Sequence, residues 1–461
     1  MSHGDGAIAG TGEGAHVERT LGRWDLVMLK IVAIVNLNNV PATAVYGWFS
    51  LVLWVLAFGA FMVPSAIAVL VLSRRYPGEG GLYVWIRHSF GDAHGFLAGW
   101  CYWAANLFYV PVLLVYMAGI FAFAGGEARA ETLSGSRSFV TALAFGWLVF
   151  MTIANIRGAA VGKWIHNVGG ISNLVSVVLV LAAAGAALAS GVQAEVPAMT
   201  GVTWETATSF AVMCNALVGV ELASTMGDEI RDPRRDLGPA IAMAGGVSIL
   251  SYVATTAAVL LLVPVAEVGV LQGIMQAIGI GAHAAGAAWL IIPLAILMGL
   301  AIGGSASAWF AGSARIPFVA GLTSALPEAL GRVHPVYKSP YVALLTAACC
   351  CALFTGLSLV GSSVNEAYQV LLKSAVVIQM VPFIYLFLTL AQTPGISAWA
   401  RAAGVLGFVT TVIGLAVAFL PTADVESAWT FELKLIAGVA GPLGLGWFLF
   451  WRSTRHAHAH V

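Results

Sequence analysis

The chain has 461 residues, of which 60% are hydrophobic and only 9% are charged, and its formal net charge is zero. A water-soluble domain carries about a quarter charged residues to solvate its surface, so this composition excludes a soluble protein and predicts an integral membrane protein surrounded by a lipid bilayer. No basic tract indicates a nucleic-acid partner, and none is expected.

Residues 1–24 are rich in glycine and polar side chains and contain no apolar run of their own. This composition predicts a disordered cytoplasmic tail rather than a signal peptide. A second, shorter cytoplasmic tail is predicted for residues 452–461.

Between these tails lie apolar runs that are each long enough to cross a bilayer, separated by short polar loops. The sequence predicts about twelve such spans. Their approximate bounds are 25–47, 50–73, 94–123, 139–156, 165–190, 206–226, 241–263, 288–312, 340–361, 367–391, 402–420 and 435–451.

The distribution of positive charge predicts how the spans are oriented. With the amino terminus inside, 16 of the 21 Lys and Arg residues fall on the inner side, three fall outside, and Lys30 and Lys373 lie within spans. Positive residues concentrate in cytoplasmic loops, so we expect a multi-pass protein of the cell (inner or plasma) membrane with both termini in the cytoplasm. For the two lysines within spans, snorkelling to the surface and burial both remain open.

The first span contains the polar interruption Asn36-Leu37-Asn38-Asn39-Val40-Pro41. Proline removes a backbone donor, and asparagine side chains can satisfy the backbone groups that an interrupted helix leaves unpaired. This pattern predicts that the first helix unwinds near the middle of the membrane. The alternative is a helix that is merely kinked at Pro41, without a site.

The sixth span carries a second interruption, with Asn215 followed by Gly219-Val220-Glu221. A carboxylate within the membrane is costly and by default indicates a functional site. The alternative is a glutamate packed between helices and satisfied by a neighbouring hydroxyl or carbonyl group. Five spans separate the two interruptions, which is the spacing of transporters built from two inverted repeats.

We therefore predict a substrate site between the two interruptions, completed by polar residues of spans 3 and 8. Half-helix amino termini favour a carboxylate there, and carbonyl groups together with Glu221 favour an ammonium. The predicted substrate-binding residues are Asn36, Asn38, Asn39, Val40, Pro41, Ala42, Asn106, Asn215, Val218, Gly219, Glu221 and Ser305.

Two further roles are predicted from charge. Glu221 is the candidate proton-coupling residue, because a carboxylate can exchange a proton as its surroundings change. A cytoplasmic gate is predicted between the loop after span 6 and the loop after span 2, formed by Arg74, Arg75, Glu229 and Arg231. The alternative is that these charges only determine topology.

Catalytic and metal-binding patterns are not evident in the spans. The sequence contains no HExxH or GxSxG motif and no cluster of His with Asp or Glu within the apolar runs. We expect neither an enzyme nor a bound cofactor or metal. A channel and a non-transporting membrane sensor remain alternatives, and the sequence does not indicate protein partners.

The residues from Gly219-Val220-Glu221 to Ile241 resemble the GxE…E-x-(K/N)-P-x-R-x-x-P-x-A-I signature of the amino acid–polyamine–organocation permeases. Residues 76–100 resemble the P-x-x-GG-x-Y-x-W…G…GF-x-x-G-W segment of that family, and residues 314–335 resemble its A-R…LP…V-H loop. The resemblance covers nearly the whole span region, from residue 24 to residue 451.

This resemblance implies an all-α membrane protein with twelve transmembrane helices and a LeuT-like fold. Two inverted five-helix repeats would form the transport core, residues 25–391, and two extra helices would occupy residues 392–451. The implied function is secondary active transport of an amino acid or related amine by alternating access, with or without proton linkage. A transporter of polyamines or other organic cations is the alternative.

Within the family, the segment from Asn38 to Gly47 resembles the glutamate/γ-aminobutyrate antiporter branch. Asn39-Val40-Pro41 stands where most permeases have Gly-Ser-Gly, so the usual glycine backbone is replaced. Asn215 stands at the position of a gating tryptophan in the arginine/agmatine antiporters, and Glu221 at that of their acid-responsive glutamate. Asn173 lies near the position of a span 5 lysine in many proton-coupled relatives.

Overall fold

A computed structural model of the protein describes residues 21–76, 80–194, 204–226, 229–322, 326–360, 363–418 and 428–458. Within these ranges the chain is almost entirely helical, with one isolated backbone bridge between Leu21 and Ile230. The predicted all-α architecture is confirmed. Residues 1–20 and 459–461, which hold most of the predicted amino-terminal tail and the end of the carboxy-terminal one, lie outside the described residues.

The helices of the first half run from the amino terminus to the end of the fifth predicted span. They are α1 (Arg23–Ile34), α2 (Asn39–Ala44), α3 (Phe49–Ala57), α4 (Val63–Arg75), α5 (Leu82–Phe90), α6 (Asp92–Phe121), α7 (Glu127–Gly135), α8 (Arg137–Ile156) and α9 (Ala159–Ala189). A π turn, Phe58–Met62, joins α3 to α4, so that Phe49–Arg75 is one continuous helical segment. The turn directly precedes Pro64, whose nitrogen cannot donate to the carbonyl four residues earlier.

The helices of the second half begin with the sixth predicted span. They are α10 (Trp204–Ala216), α11 (Leu222–Thr225), α12 (Pro233–Leu262), α13 (Gly273–Ala284), α14 (Ile291–Ser313), α15 (Arg315–Leu322), α16 (Tyr341–Leu359), α17 (Val364–Gln392), α18 (Ala398–Ala418) and α19 (Ala428–His458). Short 3-10 turns at Val265–Glu267, Ala288–Leu290 and Glu328–Gly331 lie in the connections.

In the described part of the chain, ten helical segments are long and apolar enough to cross a membrane by length and composition. They correspond to predicted spans 2–5 and 7–12. The two remaining predicted spans, 25–47 and 206–226, are each divided into two short helices, and so neither forms a single long helix. The total of twelve spans stays a prediction.

Several helix ends differ from the predicted bounds because polar caps extend the helices beyond their apolar runs. The seventh span was predicted to begin at residue 241, but α12 begins at Pro233, where proline suits the first helical position. The Asp232 carboxylate accepts a 3.2 Å hydrogen bond from the Arg235 backbone N–H and caps this end.

Ordered structure extends into both predicted tails. Leu21 is buried, donates a 3.0 Å backbone hydrogen bond to the Glu229 carbonyl and accepts one from the Arg231 N–H, so the ordered bundle begins before residue 25. At the other end, α19 continues to His458, beyond the predicted boundary at residue 452.

The centre of the bundle is formed by α6, which packs against α14 and α17, and by α1, which packs against α9, α12 and α14. Almost every side chain of α6 from Gly95 to Ile120 is buried. On α19, by contrast, Trp429, Trp447 and other large apolar side chains are exposed on the surface that the bilayer would cover. The two divided spans therefore lie in the interior of the protein.

The close approach of α9 and α14 depends on two facing glycines. A Cβ atom added to Gly304 would lie 2.6 Å from the Gly169 Cα and 3.0 Å from the Ile165 carbonyl oxygen. Small residues at such crossings let membrane helices come into backbone contact.

We expect Gly304→Val to lower the free energy of unfolding by about 1–3 kcal/mol, because the added side chain would force α9 and α14 apart. The measurement is thermal denaturation of the purified protein in detergent. Gly185→Val on α9 is the matched control, since an added Cβ there meets nothing within 4 Å. Equal stability of the two variants would contradict the proposed contact.

Candidate functional site

The first break separates α1 from α2 at Val35–Asn38. This confirms an interruption within the first span but places it earlier than predicted. Asn39, Val40 and Pro41 form the first turn of α2. The missing N–H of Pro41 is tolerated there, because the first N–H groups of a helix have no partner within the helix.

The second break separates α10 from α11 at residues 217–221. Gly219 has φ +130°, a conformation that residues with a side chain rarely adopt. A Cβ atom at this position would also lie 3.0 Å from Ile34 and 3.2 Å from the Trp309 ring. Gly219 therefore allows both the turn of the chain and the close packing of this break against α1 and α14.

A single tyrosine of α12 connects the two breaks. The Tyr252 hydroxyl lies 2.6 Å from the Ile34 carbonyl and 3.2 Å from the Ala216 carbonyl, and it accepts a 3.0 Å hydrogen bond from the Asn36 N–H. The Tyr252 ring stacks on Trp54 of α3, with 4.1 Å between ring centroids. The last carbonyl groups of α1 and α10 thus share the Tyr252 hydroxyl as a hydrogen-bond donor. This shared donor holds the two breaks at the same level of the bundle.

Two more helices contact the first break through polar side chains. The Asn173 amide of α9 donates to the Val35 carbonyl, and Ser305 of α14 donates to the Asn36 side-chain oxygen. The Asn36 amide donates a 2.5 Å hydrogen bond to the Ala33 carbonyl. Asn173 therefore supplies a neutral donor at the position where the resemblance indicated a lysine in proton-coupled relatives.

Glu221 is fully buried next to the second break. One carboxylate oxygen accepts a 3.0 Å hydrogen bond from the Tyr102 hydroxyl of α6, and the other accepts a 3.0 Å hydrogen bond from the Gly219 N–H. Lys30 of α1 is buried as well, and its ammonium donates a 2.6 Å hydrogen bond to the Val220 carbonyl. The open question about Lys30 is answered in favour of burial.

A small cavity lies beside the second break, and its lining combines amides with aromatic and apolar side chains. It is lined by Ala105, Asn106, Tyr109, Asn215, Val218, Trp309, Ala375 and Gln379. The cavity has about 10 Å³ of space for the centre of a water molecule, which is about one water molecule. Among the described residues, the buried Gln379 side-chain nitrogen and Asn38 side-chain oxygen have no hydrogen-bond partner. Buried polar atoms without partners indicate a place for a polar ligand.

Of the residues predicted to bind substrate, Asn106, Asn215 and Val218 line this cavity. Glu221 does not line it, and its carboxylate is held by Tyr102 and Gly219 instead. The residues of the first span are Asn36 and Asn38 in the break and Asn39, Val40, Pro41 and Ala42 on α2, where all but Ala42 are buried.

The predicted gate residues do not meet one another in this structure. Glu229 is buried and pairs with Arg315 of α15, with 2.7 Å between the charged atoms. Arg75 donates to the Pro394 carbonyl at 3.2 Å, Arg74 lies near the end of α4, and the exposed Arg231 donates through its backbone N–H to the Leu21 carbonyl. Glu229 points into the protein, so it cannot form the surface pairs that were predicted.

Several residues at the site are not among the predicted substrate-binding and gate residues: Tyr102, Tyr109, Tyr252, Trp309, Arg315 and Gln379. Tyr252 and Trp309 lie in apolar runs where aromatic residues usually serve packing, and no local pattern distinguishes them. Lys30 did carry a signal, because an ionisable residue in a membrane span indicates a partner or a function.

We expect Tyr252→Phe to lower the free energy of unfolding by about 1–3 kcal/mol, because buried carbonyl groups at both breaks would lose their donor. Thermal denaturation in detergent measures the change. Tyr337→Phe is the control, since Tyr337 is 43% exposed. A Tyr252→Phe variant as stable as the control would show that the hydroxyl does not hold the breaks together.

Comparison with known proteins tests the family resemblance. The family described as "Amino acid permease" matches residues 21–440. The chain belongs to this amino acid permease family. The permease is therefore a member of the amino acid–polyamine–organocation superfamily and a secondary transporter, as the signature motifs predicted.

Individual relatives are distant but extend along much of the permease. An uncharacterized transporter of Legionella pneumophila is 23% identical over 92% of this chain and 95% of its own length. A protein named as a probable agmatine/putrescine antiporter, AguD of Lactococcus lactis, is 23% identical over 65% of this chain and 64% of its own length.

The fold of the permease is also that of a solved transporter. The crystal structure of MhsT in complex with L-phenylalanine superposes with a TM-score of 0.61, 17% identity and coverage of 87% of this chain and 98% of MhsT. This likeness confirms the predicted LeuT-like fold.

Proposed function

We propose that the permease moves a small amino acid across the cell membrane by alternating access, binding it in the cavity beside the second break. The observation that carries this proposal is the cavity itself, which adjoins the second break and is lined by Gln379, whose buried side-chain nitrogen has no hydrogen-bond partner. Sites of this type lie near the middle of the membrane, where broken helices expose backbone groups to a substrate.

The small size of the cavity supports alternating access. A space of about one water molecule cannot hold an amino acid, so binding requires the surrounding helices to separate. Tyr252 contacts the ends of both α1 and α10, and movement of one break would thereby be transmitted to the other. Trp309 donates a 3.0 Å hydrogen bond to the Ala33 carbonyl and is placed to follow the first break.

We also propose that transport is linked to protons through Glu221. The groups that face its carboxylate are the Tyr102 hydroxyl from α6 and the Gly219 N–H from its own break, with the Lys30 ammonium of α1 at the neighbouring carbonyl. All of these contacts are made by elements that alternating access would move. A change in their geometry would change how readily the carboxylate holds a proton.

The proposed orientation places both termini in the cytoplasm, which follows from the concentration of Lys and Arg on one side. In that orientation the buried Glu229–Arg315 pair and the backbone bonds of Leu21 to Glu229 and Arg231 close the cytoplasmic end of the bundle. The gate proposed here therefore uses Glu229 with Arg315, and a role for Arg74, Arg75 and Arg231 remains a prediction.

Counterflow in liposomes tests the proposed function. The purified permease is reconstituted in vesicles loaded with an unlabelled amino acid, and entry of the labelled compound is measured across a panel of amino acids and amines. We expect saturable exchange for at least one amino acid. Flux without saturation or exchange would indicate a channel, and binding without flux would indicate a sensor.

The role of the cavity is tested by Gln379→Leu, which should raise the half-saturating substrate concentration about tenfold, the equivalent of about 1.4 kcal/mol. Gln392→Leu is the matched control, because Gln392 lies at the exposed end of the same helix. If both variants transport like the wild type, the substrate does not bind at Gln379.

A further inference from the structure

The environment of Lys30 bears on the class of substrate. Its side chain is 0% exposed, and its ammonium donates to the Val220 carbonyl, one residue before Glu221. Glu221 is also 0% exposed, so a second buried ionisable group follows directly after the residue whose carbonyl Lys30 contacts. A buried charge is tolerated when an opposite charge lies nearby, so the Lys30 ammonium and the Glu221 carboxylate offset each other at the second break.

The lining of the cavity carries no further charge. Its polar members among the described residues are amides and aromatic groups: Asn106, Tyr109, Asn215, Trp309 and Gln379. The lysine and the glutamate together contribute a net charge of zero, and so the whole site is neutral.

We propose that Lys30 is a specificity-determining residue that restricts the permease to zwitterionic amino acids with an uncharged side chain. This inference rests on the proposed function and specifies the substrate class. A zwitterion brings no net charge into a neutral site, whereas a dication such as putrescine or agmatine would bring two charges without a counterion. Burying an uncompensated charge at membrane depth is expensive.

The same geometry predicts what happens when Lys30 is removed. Glu221 would then carry a buried negative charge next to the second break, and the site would favour a compound with a cationic group. Removing both charged side chains would restore neutrality. Lys30 therefore acts by compensating Glu221 and does not need to contact the substrate.

The experiment compares the wild type with Lys30→Met and with the double variant Lys30→Met/Glu221→Gln. Counterflow of labelled leucine and labelled putrescine is measured for each, after size-exclusion chromatography has shown that the protein is monodisperse. We expect the wild type to exchange leucine at least tenfold faster than putrescine. Lys30→Met should shift this ratio at least tenfold towards putrescine, and the double variant should shift it back.

Lys373→Met is the matched control, because Lys373 is a second lysine within a membrane helix, α17, and does not line the cavity. Its leucine to putrescine ratio should equal that of the wild type. A wild type that prefers putrescine, or a Lys30→Met variant with an unchanged ratio, would overturn the inference. If Lys30→Met does not fold, the test is made with the double variant alone. The inference then requires that the double variant still exchanges leucine faster than putrescine.

Ligand binding separates this inference from the proposed function. The shift in melting temperature caused by leucine or putrescine is measured in detergent for the same variants. Suppose that no counterflow is seen but leucine alone raises the melting temperature, and that Lys30→Met reverses this preference. This result would argue against transport and would support the proposed specificity. A shift with putrescine alone in the wild type, or no shift with either compound, would overturn the specificity.

Discussion

Glu221→Gln is expected to make transport insensitive to pH and to slow it at least tenfold, which corresponds to about 1.4 kcal/mol. Glutamine preserves the shape of the side chain, and with its oxygen accepting from the Gly219 N–H its amide nitrogen can donate to the Tyr102 hydroxyl oxygen. It cannot gain or lose a proton, and it leaves the buried Lys30 ammonium without an opposite charge. The uncompensated Lys30 charge should lower the transport rate. The loss of a group that can bind a proton should remove the pH dependence.

The measurement is initial uptake into liposomes over a series of external pH values, with wild type and variant at equal protein content. Glu328→Gln is the control, since this substitution makes the same chemical change at an exposed position in the connection before α16. A Glu221→Gln profile that parallels the wild type would remove Glu221 from proton coupling.

Arg315→Met is expected to lower the free energy of unfolding by about 3–5 kcal/mol, the largest effect on stability that we predict. The Arg315 guanidinium makes two hydrogen bonds to one carboxylate oxygen of Glu229, at 3.0 and 2.7 Å, and a third to the Ala311 carbonyl at 2.5 Å. Both side chains are almost completely buried. Removing the arginine would leave an unpaired carboxylate in the protein interior.

The double variant Glu229→Leu/Arg315→Met distinguishes the effect of an unpaired buried charge from the effect of lost side-chain packing. Because it removes both charges, it should lose less stability than Arg315→Met alone. Arg332→Met is the surface control and should stay within about 0.5 kcal/mol of the wild type, since Arg332 is exposed. A double variant less stable than Arg315→Met would show that burial of an unpaired charge is not the cause. Thermal denaturation in detergent measures all three.

The sequence determined the class of the protein, the approximate positions of its helices and the two places where helices break. A deficit of charge can be reconciled only with burial in lipid, and an apolar run buried in lipid forms a helix because its backbone groups must bond internally. Asparagine, proline and glycine within such runs mark backbone that departs from a regular helix. Gly219 illustrates this, because glycine adopts a positive φ without the steric cost that a side chain imposes.

The tertiary structure decided which side chains meet at those breaks. Tyr252 is 36 residues from Ala216 and 218 residues from Ile34, yet its hydroxyl contacts both carbonyl groups. Likewise, Glu229 appeared to be a surface charge but pairs with Arg315, and Lys30 appeared equally suited to snorkelling but is buried beside Glu221. Local patterns reflect hydrophobicity and backbone preference, whereas these pairings depend on how distant helices pack around one another, which no short stretch of sequence specifies.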